Sequence, residues 1–138
     1  MTHLPFHFAF PVKDLASTRA FYGGLLGCAE GRSTDTWVDF DFFGNQISAH
    51  LGRPCPPGAF GHVDGVEVPI PHGGALLPWD RFEALARRLE AAKVSFVIPP
   101  SVRYRGQPAE QATMFFLDPS GNALELKAFR DPAAVYAR

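Results

Sequence analysis

Two imidazoles and one carboxylate that leave coordination positions open can hold Fe(II), Mn(II), Ni(II) or Zn(II). The 138-residue chain carries those residue types in three short contexts: His7 in "FHFAFPV", His72 in "PHGGALL" and Glu125 in "ALELK". A further imidazole, His50, ends "QISAH". Each has a plainer reading. A glutamate between two leucines is also the solvent-facing member of an alternating strand. His7 can face outward from its strand, His72 can be a loop histidine among prolines and glycines, and His50 reads equally as a surface residue. The elements that carry these residues decide between the readings.

Residues 6–12 alternate around His7 and predict a strand. Asp14 is a good helix N-cap, and Leu15, Thr18, Tyr22, Leu25 and Leu26 recur at helical spacing until Gly27 stops the helix. "TWVDFDFF" and "QISAHL" predict two strands joined at Gly44 and Asn45. The second half repeats this plan. "VEVPIPHGGALL" is extended but broken by Pro69 and Pro71. Asp80 with Glu83 forms a capping-box pattern ahead of the stripe Phe82, Leu85, Leu89 and Ala92. "VSFVI" predicts a strand ended by Pro99 and Pro100, and "ATMFFLD" and "ALELK" a final hairpin turning at Gly121 and Asn122.

His7 to His72 spans 65 residues, Asp14 to Asp80 spans 66, and Asn45 to Asn122 spans 77. The larger third offset is met by the extra segment "PSVRYRGQPAE", so an internal repeat is expected. Its modules cover about residues 4–51 and 66–130 of a single domain, with a Gly- and Pro-rich linker at about 52–65. Equivalent strands of a duplicated unit meet near one site, which pairs His7 with His72 and, two positions out of step, His50 with Glu125.

Composition excludes several functions. The net charge of -1 and 46% hydrophobic content give no reason to expect a nucleic acid or an anionic membrane as partner. No apolar run approaches the roughly 20 residues of a membrane span, and "MTHLPFHFAF" lacks the features of a signal peptide, so the expected location is the cytoplasm. Cys28 and Cys55 are expected as free thiols. Thirteen phenylalanines suit either a large aromatic core or an aromatic-lined pocket, and Trp37 with the rings of "DFDFF" fits both.

The stretches "FHFAFPVKDLASTRAFYGGLLGC", "PHGGALL" and above all "FFLDPSGNALELK" resemble the vicinal oxygen chelate superfamily, which holds glyoxalase I, extradiol dioxygenases and bleomycin-resistance proteins. The resemblance covers nearly the whole chain. It implies an α+β fold of two βαβββ modules forming a partly open cup, with His7, His72 and Glu125 on metal-ligand positions and His50 near a fourth. It further implies a metal-dependent enzyme for a small-molecule substrate, with Fe(II) as the first choice of metal and a homodimer as the assembly. The leading expectation is a ring-cleaving extradiol-type dioxygenase acting on a catechol-like compound, in which His50 or Tyr104 moves protons. Two alternatives stand beside it: a glyoxalase I-like isomerase or lyase using four protein ligands, and a non-enzymatic drug-binding protein.

One departure from the extradiol pattern is visible. The second half holds no histidine besides His72. The long polar segment "SVRYRGQPAEQ" reads either as a solvated loop or as a mouth loop in which Tyr104 donates a proton and an arginine meets an anionic group.

Overall fold

The computed structural model describes residues 3–138. The first set of elements is β1 (His7–Val12), α1 (Leu15–Thr18) continuing as a π-helical stretch (Arg19–Leu25), β2 (Ala29–Ser33), β3 (Trp37–Phe42) and β4 (Asn45–Leu51). A hairpin of β5 (Ala59–Val63) and β6 (Val66–Ile70) follows. The second set is β7 (Gly73–Leu76), α2 (Trp79–Ala91), β8 (Phe96–Arg103), β9 (Gln111–Leu117) and β10 (Ala123–Phe129), before a closing 3-10 turn (Pro132–Tyr136). The α+β class with two βαβββ sets is therefore what the chain adopts. The residues cluster into two compact units: the chain through Pro56 together with Asp118–Asn122, and Pro57–Leu117 together with Ala123–Arg138.

In unit one the sheet order is β1-β4-β3-β2, with β1 parallel to β4 and the other pairs antiparallel. Strand alternation sends Phe10, Ile47, Ala49, Val38 and Phe40 to one face. There Tyr22, fully buried, packs its ring 5.6 Å from Phe40 and 5.7 Å from Phe10. Asp14 caps α1 as expected, accepting from the Ser17 amide at 2.6 Å. Gly27 ends the helical run at φ 73, a left-handed value that favours glycine. Strand β2, "AEGRS", is exposed at every residue and lacks the alternation that would mark it in sequence.

The turn Asp118–Asn122 joins two strands of unit two yet belongs to unit one. Asp118 Oδ1 accepts from the amides of Ser120 at 2.8 Å and Asn122 at 2.9 Å, which folds the turn. Ser120 Oγ then accepts from the Lys13 amide at 2.9 Å, and Asn122 Nδ2 donates to the Pro11 carbonyl at 3.1 Å.

In unit two the order is β7-β10-β9-β8, with β7 parallel to β10 and the rest antiparallel. Leu124, Leu126, Met114 and Phe116 are buried on one face of this sheet, and α2 buries Phe82, Leu85, Ala86 and Leu89. Each large side chain buried in this way contributes about 1.5–3 kcal/mol.

Three expectations are corrected here. Helix α2 starts at Trp79 with Pro78, not Asp80, in the cap position, and it has no side-chain cap. Glu83 accepts from the Trp79 indole at 3.0 Å instead of reaching back to close a capping box. Strand β8 is not ended by Pro99 and Pro100 but runs through both. It can do so because it is an edge strand whose register shifts between Phe96 and Ser101, where a missing amide donor is tolerated. The Gly- and Pro-rich stretch is not all linker, since β5 and β6 pair around Asp64 and Gly65, both at positive φ. That Asp-Gly turn between valines was a readable hairpin signal.

Cys28 is buried, Cys55 is exposed, and neither forms a disulfide. No helix of the described residues is long and apolar enough to cross a membrane.

Candidate metal centre

Strand β10 is flanked by β7 and β9, and its alternation sends Leu124, Leu126 and Ala128 into the core. Glu125 and Lys127 therefore point to the opposite face, in register with Phe115 and Thr113 of β9. On the β7 side Glu125 lies beside Gly74. A Cβ at Gly74 would collide with the Glu125 carbonyl, so glycine is what lets the two strands meet there.

His72 sits immediately before β7, after the cis Ile70–Pro71 bond. Its Nδ1–H donates to the Pro69 carbonyl at 2.7 Å, since a carbonyl can only accept. The edge of Phe115 packs on the imidazole at 5.0 Å between ring centroids. Nε2 is thereby aimed at Glu125 Oε2, 3.1 Å away. In the neutral ring fixed by Pro69, Nε2 is an acceptor, and so is an ionised carboxylate oxygen. Two acceptors at hydrogen-bond distance require a proton or a cation between them. The other oxygen, Oε1, is differently engaged: the Thr113 hydroxyl donates to it at 2.6 Å and Lys127 Nζ approaches at 3.6 Å. The donor set of an imidazole nitrogen and a carboxylate oxygen facing each other fits a divalent metal.

Unit one holds a related but different arrangement. His7 is exposed on β1, opposite Gln46 of β4. Unit two sets position 124 of β10 against 73 of β7, so the strand pairing that places His72 equivalent to His7 makes Ser48 the counterpart of Glu125. This corrects the pairing of His50 with Glu125: the counterpart of His50 is Lys127. Ser48 is buried and donates to Asp39 Oδ1 at 2.5 Å, so the serine is already committed to a partner on its own sheet. His50 is exposed and stacks on Trp37, its cross-strand neighbour, at 6.1 Å. Phe40 and Phe42 are core residues, whereas half-buried Trp37 lies on the polar face with His50.

Within either unit, the described residues assemble no group of three or more His, Cys, Asp or Glu side chains. His72 and Glu125 come together in unit two, and His7 and His50 belong to unit one.

Tyr104 begins the loop at residues 104–110 with φ 55, a left-handed conformation uncommon for a bulky residue. Among the described residues it makes no hydrogen bond to His72 or Glu125. The loop has its own organiser in Glu110, whose carboxylate accepts from the Gly106 amide at 2.8 Å and from Arg130 Nε at 2.9 Å. The Gly106 amide first, and Arg130 second, hold this carboxyl below its usual range. Arg130 in turn lies 3.6 Å over the Trp79 ring. Arg103 donates to the Val63 carbonyl at 3.3 Å. Thr113, Lys127 and the Pro69 carbonyl escaped the sequence reading, although extending the register outward from the Gly121–Asn122 turn puts Thr113 and Lys127 on the face of Glu125.

Residues 5–126 match the Glyoxalase/Bleomycin resistance protein/Dioxygenase superfamily, and the chain belongs to that family. Among solved structures, a glyoxalase/bleomycin resistance protein/dioxygenase from Alicyclobacillus acidocaldarius is 30% identical, with 97% of each chain covered and a TM-score of 0.77. The fosfomycin resistance protein FosX from Listeria monocytogenes is 21% identical over 93% of this chain and 94% of its own, at a TM-score of 0.68, a likeness of fold. A putative glyoxalase family protein from Bacillus anthracis is 14% identical over 94% and 98%, at 0.66. No curated protein matches the chain. Members of the superfamily typically use divalent metals.

Proposed function

We propose that this protein is a metal-dependent enzyme of the vicinal oxygen chelate type, acting on a small molecule through two neighbouring oxygens. The observation that carries the reading is the facing of His72 Nε2 and Glu125 Oε2 at 3.1 Å. His72 and Glu125 would hold the metal with His7 as the third protein donor, supplied by the same chain or by a second copy. The metal would act as a template and Lewis acid that lowers the pKa of a substrate hydroxyl. The protein's own groups do the rest. Pro69 fixes the His72 tautomer, Phe115 walls the imidazole, and the Lys127 ammonium offers a positive charge to an anionic substrate.

The number of donors supports a particular reaction. A four-ligand, glyoxalase I-like centre needs a carboxylate or imidazole at the counterpart of Glu125 in unit one. That position is Ser48, bonded to Asp39. Three donors leave positions for both a chelating substrate and dioxygen, which favours extradiol-type cleavage of a catechol-like compound with Fe(II). His50 and Tyr104 remain the proposed proton carriers. A homodimer fits the exposure of Phe6, just before edge strand β1, and of Phe8 on it, 66% and 50%.

The test is turnover by anaerobically Fe(II)-loaded protein of a panel comprising catechols, the glutathione adduct of methylglyoxal, and fosfomycin. Oxygen uptake with a catechol, lost in His72→Ala, supports the assignment. Turnover of the adduct or of fosfomycin without oxygen uptake replaces it with isomerase or epoxide-opening chemistry.

A further inference from the structure

The two oxygens of Glu125 keep different company. Oε2 faces His72, whereas Oε1 accepts the Thr113 hydroxyl at 2.6 Å and lies 3.6 Å from Lys127 Nζ. Thr113 is 1% exposed, on an inner strand, in a position that valine would fill with the same volume. The hydroxyl's partner is that one carboxylate oxygen. A carboxylate beside a metal can bind through one oxygen or rotate to offer both, and the second mode consumes a coordination position.

Building on the metal reading above, we infer that Thr113 is a positioning residue that commits Oε1 of Glu125 and restricts the carboxylate to one-oxygen ligation through Oε2. Its hydroxyl acts at two levels. It fixes the carboxylate plane so that Oε2 meets Nε2 of His72, and it makes rotation of Glu125 cost a short, part-buried, charge-assisted hydrogen bond. Lys127 reinforces the same oxygen electrostatically from the adjacent position on that face. The position thus kept open is the one a substrate needs to bind through two oxygens at once.

Mn(II) is the probe, because water-proton relaxation counts the exchangeable waters on the bound ion without any turnover. Chelator-treated wild type, Thr113→Val and Thr113→Ser are compared, each checked for folding by circular dichroism. Thr113→Ala replaces the valine variant if the latter is unfolded. Thr113→Val is expected to bind Mn(II) with an affinity altered by about 10-fold or more, and with one water fewer than wild type. Thr113→Ser, which keeps the hydroxyl, restores both. An unchanged water count in Thr113→Val overturns the inference, whatever the affinity does. Failure of the wild type to take up Mn(II) or Fe(II) at all overturns the metal reading itself, and this inference with it.

Discussion

The Tyr22 hydroxyl donates to Asp118 Oδ2 at 2.8 Å, joining the first helix to a turn 96 residues later. Both residues are buried, and Asp118 also accepts from the Ser120 amide, the Asn122 amide and the Asn122 side chain. This network ties the turn that precedes Glu125 into unit one. Tyr22→Phe removes one donor and leaves three, so it should destabilise by about 1–2 kcal/mol, read as a lower denaturation midpoint. Asp118→Ala orphans several donors at once and should cost more.

Burial first, and the Asp118 charge second, push the Tyr22 hydroxyl well above the ordinary tyrosine range. A group whose folded value is raised contributes stability that is fully present below the unfolded value. Above about pH 10 the unfolded chain loses this proton while the folded chain retains it. Stability should therefore decline from there upward. Ultraviolet titration should find Tyr22 still protonated where ordinary tyrosines have ionised, for as long as the protein is folded, and Tyr22→Phe should flatten the alkaline decline.

At Gly74 a methyl group would meet the Glu125 carbonyl. Gly74→Ala should push β7 away from β10 at that point, at a cost of at least about 2 kcal/mol. Because His72 immediately precedes β7, the variant should also weaken metal binding in protein that remains folded. Gly73→Ala, with no atom within 4 Å of the added carbon, is the control and should do neither.

Loss of the Glu110 charge should release the loop at residues 104–110. Its carboxyl, held low by Gly106 and Arg130, should titrate by NMR below the ordinary value of about 4.3. A depressed group stabilises above the unfolded value and loses that contribution as pH falls through the folded one. Order in the loop should therefore survive pH 4.5 and fade below it. Glu110→Gln should abolish this dependence and increase loop mobility near neutral pH.

Much of the fold was legible because two periodicities alternate along the chain. Asp14 and Gly27 bracket the first helix as expected, and the Gly-Asn turns mark both late hairpins. What escaped had physical causes. Strand β2 is exposed at every residue and carries no hydrophobic period, β8 carries two prolines that only its edge position tolerates, and the β5–β6 hairpin was hidden among prolines despite its Asp-Gly turn. Of the candidate site, the family resemblance puts His72 and Glu125 at one place, and 3.1 Å separates their facing atoms. The counterpart of Glu125 is not marked by residue type, because the nearest ligand-type side chain in the first half, His50, stands two positions further from its Gly-Asn turn than Glu125 does from its own. Strand register names Ser48. Thr113 and the Pro69 carbonyl were silent because what they contribute is a hydrogen bond to Glu125 or to His72.

The pairing of His72 with Glu125 as metal donors is the central claim, and elemental analysis of protein purified without chelator tests it most directly. Wild type, reconstituted anaerobically with Fe(II) where necessary, should carry close to one divalent metal per chain, and a folded His72→Ala/Glu125→Ala double variant should carry none. No metal in the wild type after reconstitution, or an undiminished content in the double variant, would contradict the account.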